Sequence, residues 1–236
     1  MGIVFTSESV AAKLLITGKM EEHVLIAVPN QPWVDTRIAD HVDLSIFVGD
    51  RIYCAPNQYD LVFSRLSESF DEEWVKFHLV KGNRIPKSGY PMNIPYNGVS
   101  VSGKLFHNLE HTDPSIIKGY GGEKINIKQG YSKCSCLLVG ENAVITEDPG
   151  VEKCLINCGV DVLRIERGGV QLEGFEYGFI GGAGGLVGST LFMNGKLTSH
   201  PEYHLIEPFL VKQGIELVEI YEGPLVDCGS ILYFEL

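Results

Sequence analysis

The residue best suited to covalent chemistry in this chain is Cys228, which stands near the C-terminus in the segment Val-Asp-Cys-Gly-Ser. Cys228 follows Asp227 and precedes Gly229 at an expected strand end that points at the axis, which suits a reactive thiol. Cys228 is therefore the candidate nucleophile, and Asp227 beside it is a candidate substrate-binding carboxylate. The alternative is that Cys228 is a small buried apolar residue, as most free cysteines are.

A second candidate is the pair His41 and Asp43, which directly precedes the apolar segment from Leu44 to Val48. No proline or helix follows this pair, so a helix-capping role does not explain it. A histidine at the start of a strand could act as the acid/base, with Asp43 binding the substrate. The alternative is a structural pair held together by hydrogen bonds.

Further polar residues are expected to surround a small polar molecule. Lys133 begins the segment Lys-Cys-Ser-Cys, where it could lower the pKa of a nearby thiol or bind an anion. The alternative is an ordinary strand whose alternate residues are core. Asn97 and the pair Glu176 and Tyr177 occupy comparable places in other parts of the chain, and we interpret them as substrate-binding residues too.

Neither a metal nor a cofactor is expected. The spacings Cys134-x-Cys136 and Cys154-x-x-x-Cys158 are not those of a zinc ribbon. The glycine-rich segment 178–188, GFIGGAGGLVG, also fails as a dinucleotide loop, because Val187 takes the place of the third glycine. These glycines are instead expected to let backbone segments approach one another closely.

Composition restricts the class of protein. The chain has 236 residues, of which 44% are apolar, and a formal net charge of −11, which would repel a nucleic acid. Its apolar runs are far shorter than the roughly 20 residues of a membrane span, and no signal peptide is indicated. The six cysteines are expected to be reduced thiols. We therefore expect a cytoplasmic protein with no membrane partner, and a homo-oligomer remains an open alternative.

Internal repeats indicate the fold. Residues 137–165 align with residues 186–220 as strand, turn, strand, helix, glycine, strand, and fainter copies cover residues 99–127 and 44–85. A helix over residues 9–17 and a strand after it supply a further unit. Five units of about 47 residues cannot each bury an apolar face alone, which implies radial closure. The sequence thus predicts one α/β domain, residues 1–236, built as a five-bladed pseudo-symmetric α/β propeller of strand-strand-helix-strand units. A doubly wound sheet is the main rival.

Three details of the repeats are specific enough to check. Asp113 and Asp148 each precede a proline and are expected to cap the helix that follows. Gly159 and Gly214 are expected to end their helices in the left-handed conformation. The last helix is expected to begin near Glu207, because Pro208 inside a longer helix would remove a hydrogen bond.

Several segments resemble a bacterial family of the guanidine-group-modifying propellers, the pentein superfamily of arginine deiminase-like and amidinotransferase-like proteins. These segments are KQGYSKCS (128–135), EDPGVEK (147–153), GFIGGAGGL (178–186), HPEY (200–203) and GPLVDCGSIL (223–232). The resemblance implies a site at one end of the propeller axis, with Cys228 at the nucleophile position. Two departures stand out. The histidine-containing strand of the active enzymes would fall near residues 172–180, which contain no histidine. Their substrate-binding carboxylates would fall near residues 128–131, which contain no carboxylate.

Two functions follow from this resemblance. The first is a Cys-dependent hydrolase or transferase that acts on a small guanidine- or amide-containing molecule. The second is a non-catalytic propeller that binds a ligand or a protein partner, which the missing histidine and carboxylates favour. A purely structural role in a complex is a third alternative, with no sequence feature of its own in its favour.

Overall fold

The computed structural model describes the whole chain, residues 1–236, as 15 strands and six α-helices. In chain order they are β1 (Gly2–Ser7), α1 (Glu8–Ile16), β2 (His23–Val28), β3 (Ile46–Val48), β4 (Ile52–Cys54), α2 (Pro56–Leu66), α3 (Glu72–His78), β5 (Leu79–Lys81), β6 (Val99–Val101), β7 (Lys104–His107), α4 (Pro114–Gly119), β8 (Glu123–Asn126), β9 (Cys136–Gly140), β10 (Ala143–Thr146), α5 (Pro149–Asn157), β11 (Asp161–Arg164), β12 (Gly184–Val187), β13 (Thr190–Met193), α6 (Tyr203–Gln213), β14 (Glu216–Glu219) and β15 (Leu232–Glu235).

The strands form five three-stranded sheets, or blades, with one topology. Their strand orders are β15-β1-β2, β3-β4-β5, β6-β7-β8, β9-β10-β11 and β12-β13-β14. In each blade the first strand pairs antiparallel with the middle strand. The middle strand then pairs parallel with the third strand. A helix makes each parallel connection, because parallel neighbours need a crossover. The predicted five-bladed α/β propeller is confirmed.

One blade joins the two ends of the chain. Strand β15 pairs with β1 in the register Gly2 to Glu235 and Phe5 to Leu232. This closure removes the open edges that a row of blades would otherwise leave. The sequence predicted α1 and β2 in this blade but not β1, whose six residues are all buried.

The blade of β3, β4 and β5 differs from its sequence-based prediction. A single helix through residues 70–80 was expected, but helix α3 ends at His78, and the strand β5 begins at the next residue. An additional helix, α2, precedes it, with Pro56 in its first turn and Val62 and Leu66 fully buried. A proline is compatible with that position, because the first N–H groups of a helix have no partner within it.

Helix α6 also contradicts its prediction. It begins at Tyr203 rather than near Glu207, so Pro208 lies inside it. The extra turn places Ile206 in the core with Leu210, both almost completely buried. Burial of an apolar side chain contributes about 2 kcal/mol, which offsets much of the cost of the lost hydrogen bond.

Local signals elsewhere behave as predicted. The side chains of Asp113 and Asp148 accept hydrogen bonds from backbone N–H groups at the starts of α4 and α5. Gly159 and Gly214 both adopt the left-handed conformation after α5 and α6, with φ of 84° and 69°. None of the helices combines the length and the apolar composition that crossing a bilayer requires.

The glycine-rich segment brings backbones together, as expected. A Cβ atom on Gly184 would lie 2.2 Å from the carbonyl oxygen of Phe192, and one on Gly185 would lie 1.9 Å from that of Ile231. Neither separation is compatible with a side chain, so glycine is required where β12 meets β13 and β15.

Candidate functional site

The segments that lead into the first strand of each blade meet on the propeller axis. The amide of Asn97 donates to the backbone oxygen of Asp43 at 3.3 Å. The ammonium of Lys133 donates to the backbone oxygen of Gly181 at 3.1 Å and to the hydroxyl of Ser230 at 3.2 Å. Since these five residues precede β3, β6, β9, β12 and β15, all five first strands begin at the same end of the axis. We call the side chains gathered there the axial polar cluster: His41, Asp43, Asn97, Lys133, Cys134, Asp227 and Ser230.

Asp43 is the centre of the axial polar cluster and is fully buried. Its Oδ2 accepts a hydrogen bond from Ser230 Oγ at 2.5 Å and another from Cys134 Sγ at 3.1 Å. Its Oδ1 has no hydrogen-bond partner. Burial raises the pKa of Asp43, while the nearby His41 and the hydrogen bond from Ser230 act in the opposite direction. One oxygen of this carboxyl group is therefore hydrogen-bonded, and the other has no partner within the protein.

Asn97 fixes the segment that carries Lys133. Its Oδ1 accepts hydrogen bonds from the backbone N–H groups of Lys133 and Cys134, at 3.1 and 3.2 Å. Its Nδ2 donates to Cys134 Sγ at 3.2 Å as well as to the backbone of Asp43. All polar atoms of the Asn97 side chain are therefore engaged within the protein.

His41 lies beside Asp227, with 3.8 Å between Nδ1 and Oδ1. The two oxygens of Asp227 accept hydrogen bonds from the backbone N–H groups of Gly229, at 3.1 Å, and Phe179, at 2.9 Å. A Cβ atom on Gly182 would lie 2.1 Å from Asp227 Oδ1, so this close packing also depends on a glycine. Both His41 and Asp227 are buried.

The thiol of Cys228 points away from the axial polar cluster. It packs in an apolar group with Val10, Leu14 and Phe192, and its Sγ contacts the carbonyl oxygen of Gly182 at 3.3 Å. Burial is the main cause that raises the pKa of this thiol, and the nearby Asp227 raises it further. A thiolate is the reactive form, so this environment disfavours nucleophilic attack.

This environment predicts the order in which the cysteines react. With limiting iodoacetamide on the folded protein, the half-buried Cys154 and Cys158 should be labelled at least roughly tenfold faster than Cys228. Peptide mass spectrometry measures the order, and the buried Cys54 and Cys136 serve as internal controls. Preferential labelling of Cys228 would contradict this expectation and support the Cys-dependent hydrolase.

Glu176 and Tyr177 lie in a surface loop. Glu176 is exposed, and the half-buried Tyr177 has its hydroxyl 3.4 Å from Arg167. The structure does not bring either side chain into hydrogen-bonding contact with the axial polar cluster. The other six sequence-predicted site residues do lie at this end of the axis.

Sequence reasoning missed Ser230 and Glu147. Ser230 is buried and adopts a φ of 74°, which is uncommon for a residue other than glycine. Glu147 is 2% exposed, neither of its carboxylate oxygens has a hydrogen-bond partner, and burial raises its pKa to about 8. The sequence did not indicate a role for Glu147, because the motif Glu-Asp-Pro is typical of a helix start. Asp148 is the capping residue of that motif.

A cavity of about 630 Å³ follows the axis from the axial polar cluster to the opposite end of the propeller. All five first strands line it, and about half of the residues in its wall are apolar. Lys133 lies at the inner end, where these strands begin. Three exposed carboxylates lie at the other end, where the strands finish: Asp50, Glu141 and Glu235.

The arrangement of the blades defines the fold class of the protein. Five mixed three-stranded blades around an axis are the architecture of the pentein propellers. The chain belongs to the family described as "Family of unknown function (DUF6873)", whose model matches residues 7–232. A comparison with curated protein sequences finds no match.

Solved structures with the same fold cover nearly the whole chain. One is a histidine-to-glycine variant of dimethylarginine dimethylaminohydrolase as an adduct with S-methyl-L-thiocitrulline, with a TM-score of 0.57, 10% identity and coverage of 98% of this chain and 99% of that one. Another is a cysteine-to-serine variant of the Pseudomonas aeruginosa enzyme complexed with citrulline, with a TM-score of 0.52, 10% identity and coverage of 93% and 91%. A third is a cysteine-to-serine variant of C. jejuni agmatine deiminase with substrate bound, with a TM-score of 0.51, 13% identity and coverage of 98% and 92%.

Proposed function

We propose that this protein binds a small polar molecule in the axial cavity and does not use Cys228 as a nucleophile. One observation carries the proposal: the cavity has an ammonium group at its inner end and carboxylates at its mouth. Small-molecule sites are concave, and a small number of convergent polar groups fix the orientation of the ligand in them. We propose further that residues 1–236 act as one domain, since every blade contributes a strand to this cavity.

The charges of the cavity select the ligand. The Lys133 ammonium has three N–H groups, of which two donate to Gly181 and Ser230. The third can donate to a carboxylate or carbonyl group of the ligand. The carboxylates at the mouth favour an amine or guanidinium at the other end. A zwitterion with an apolar middle, such as a guanidino amino acid, has this arrangement of charges.

The structural relatives support this class of ligand, because their structures contain citrulline or S-methyl-L-thiocitrulline. Cys-dependent hydrolysis or transfer on such a molecule is the second candidate. It is favoured by one contact, because a Cβ atom on Gly229 would lie 2.1 Å from Cα of His41, which places His41 next to the Cys228 segment. The buried thiol of Cys228 argues against it.

The inner end of the cavity is tested by comparing two probes in isothermal titration calorimetry. Arginine has a carboxylate that agmatine lacks, so the protein should bind arginine more tightly, by about tenfold. Lys133→Met should remove this preference. Equal affinity for both probes in the unchanged protein would contradict the assigned role of Lys133.

The mouth of the cavity is tested with a variant that leaves the core intact. Glu141→Gln with Glu235→Gln should weaken agmatine binding about tenfold at low salt and less at high salt. The matched control is Glu21→Gln with Glu173→Gln, two exposed carboxylates away from the cavity. An equal loss of agmatine affinity in both double variants would show that the effect comes from net charge alone and would contradict the proposal.

A further inference from the structure

Three residues of the axial polar cluster carry the donor atoms of a metal site. A nitrogen of His41, an oxygen of Asp43 and the sulfur of Cys134 all lie within 4.8 Å of one another. Zinc ligands stand about 2.0–2.3 Å from the metal, which separates them by roughly 3.3–3.8 Å. The three side chains would therefore need to approach one another by about 1 Å.

An unsatisfied oxygen points independently to a missing partner. Asp43 has no exposed surface, and its Oδ1 makes no hydrogen bond. A buried carboxylate oxygen without a partner costs free energy comparable to a lost hydrogen bond or more. Coordination of a cation would satisfy it.

Each of the three residues also has its own supporting contact. Asp227 faces Nδ1 of His41 at 3.8 Å, Ser230 donates to Asp43 Oδ2, and Asn97 donates to Cys134 Sγ. Groups of this kind orient the side chains that bind a metal and tune their basicity.

We propose that His41, Asp43 and Cys134 bind a zinc ion behind Lys133 at the inner end of the axial cavity. A nitrogen, an oxygen and a thiolate suit zinc, and three protein ligands leave a fourth position for water or another ligand. Since these residues are at most 4% exposed, the ion enters as the chain folds. This inference concerns other donor groups than the proposed ligand site and does not depend on it.

The test uses cobalt as a spectroscopic substitute for zinc. The full chain is unfolded in denaturant with a chelator that removes bound metal. It is then separated from the chelator, refolded with cobalt and freed of unbound metal. We expect one cobalt per chain, tetrahedral d–d absorption, and a charge-transfer band from thiolate to cobalt. Cys134→Ser should lose the charge-transfer band, and the matched control Cys136→Ser should keep it. Zinc should raise the Tm of the unchanged protein but not that of Cys134→Ser.

Two outcomes would overturn the zinc site. One is a cobalt content of the wild-type protein well below one ion per chain, a result that needs no variant. The other is a charge-transfer band that survives in Cys134→Ser. Should Cys134→Ser fail to refold, His41→Gln replaces it, and unaltered d–d absorption in that variant would equally exclude the site. Arginine binding is measured in the same samples, so that a failure of the zinc site can be distinguished from a failure of the proposed function.

Discussion

Glu147→Gln should stabilise the protein at pH 9 by on the order of 4 kcal/mol and leave its stability at pH 4 nearly unchanged. Burial raises the pKa of Glu147 to about 8 from the ordinary value of 4.5. Between these two values the folded chain holds a proton that the unfolded chain has lost. Stability from this group is therefore complete below pH 4.5 and is lost as the pH rises to about 8, at about 1.4 kcal/mol per pH unit.

The measurement is urea unfolding of the unchanged protein and of Glu147→Gln from pH 4 to pH 9. The difference between the two cancels other titrating groups, such as the buried His107, whose pKa burial lowers to about 4. Glu173→Gln, an exposed residue, is the control and should show no pH-dependent difference. A difference for Glu147→Gln that stays constant with pH would mean that this carboxyl titrates normally.

Gly181→Ala should destabilise the protein by about 3 kcal/mol or more, because the added Cβ atom meets two backbone segments. It would lie 2.4 Å from the carbonyl oxygen of Cys136 and 2.5 Å from that of Lys133. Backbone atoms cannot rotate away as a flexible side chain can. The carbonyl of Gly181 also accepts the hydrogen bond of the Lys133 ammonium, so the displacement should reach the axial polar cluster.

Denaturant unfolding of Gly181→Ala gives this loss directly, and the matched control is Gly140→Ala. Gly140 lines the axial cavity, and its Cβ atom would come no closer to another atom than 3.3 Å, the distance to the Cβ of Ala143. We expect Gly140→Ala to stay within about 1 kcal/mol of the unchanged protein. A similarly small effect of Gly181→Ala would show that the two backbone segments separate easily.

Most of the fold could be predicted from the sequence, because the patterns that indicate helices and turns are local. The capping residues Asp113 and Asp148, and the glycines after α5 and α6, act within a few residues of their own position. Strand β1 was missed because its evidence is remote. It lies between β2 and β15, and all six of its residues are buried, so it shows no alternation of polar and apolar residues.

The candidate site was predicted in part for the same reason. His41, Asp43, Asn97 and Lys133 each precede the first strand of a blade, and the propeller brings those positions together. That pattern did not reveal Glu147, whose unusual pKa comes from burial by distant parts of the chain.

The sequence by itself determined the five repeats, the ends of several helices and the end of the axis at which polar residues gather. Only the tertiary structure decided which way the side chains near the C-terminus point. Gly229 and Ser230 both adopt a φ of 74°, which turns the chain between Cys228 and β15. The thiol of Cys228 therefore enters an apolar group, and the hydroxyl of Ser230 reaches Asp43. Backbone direction at two consecutive left-handed residues depends on close packing from other blades, which residue type and spacing do not encode.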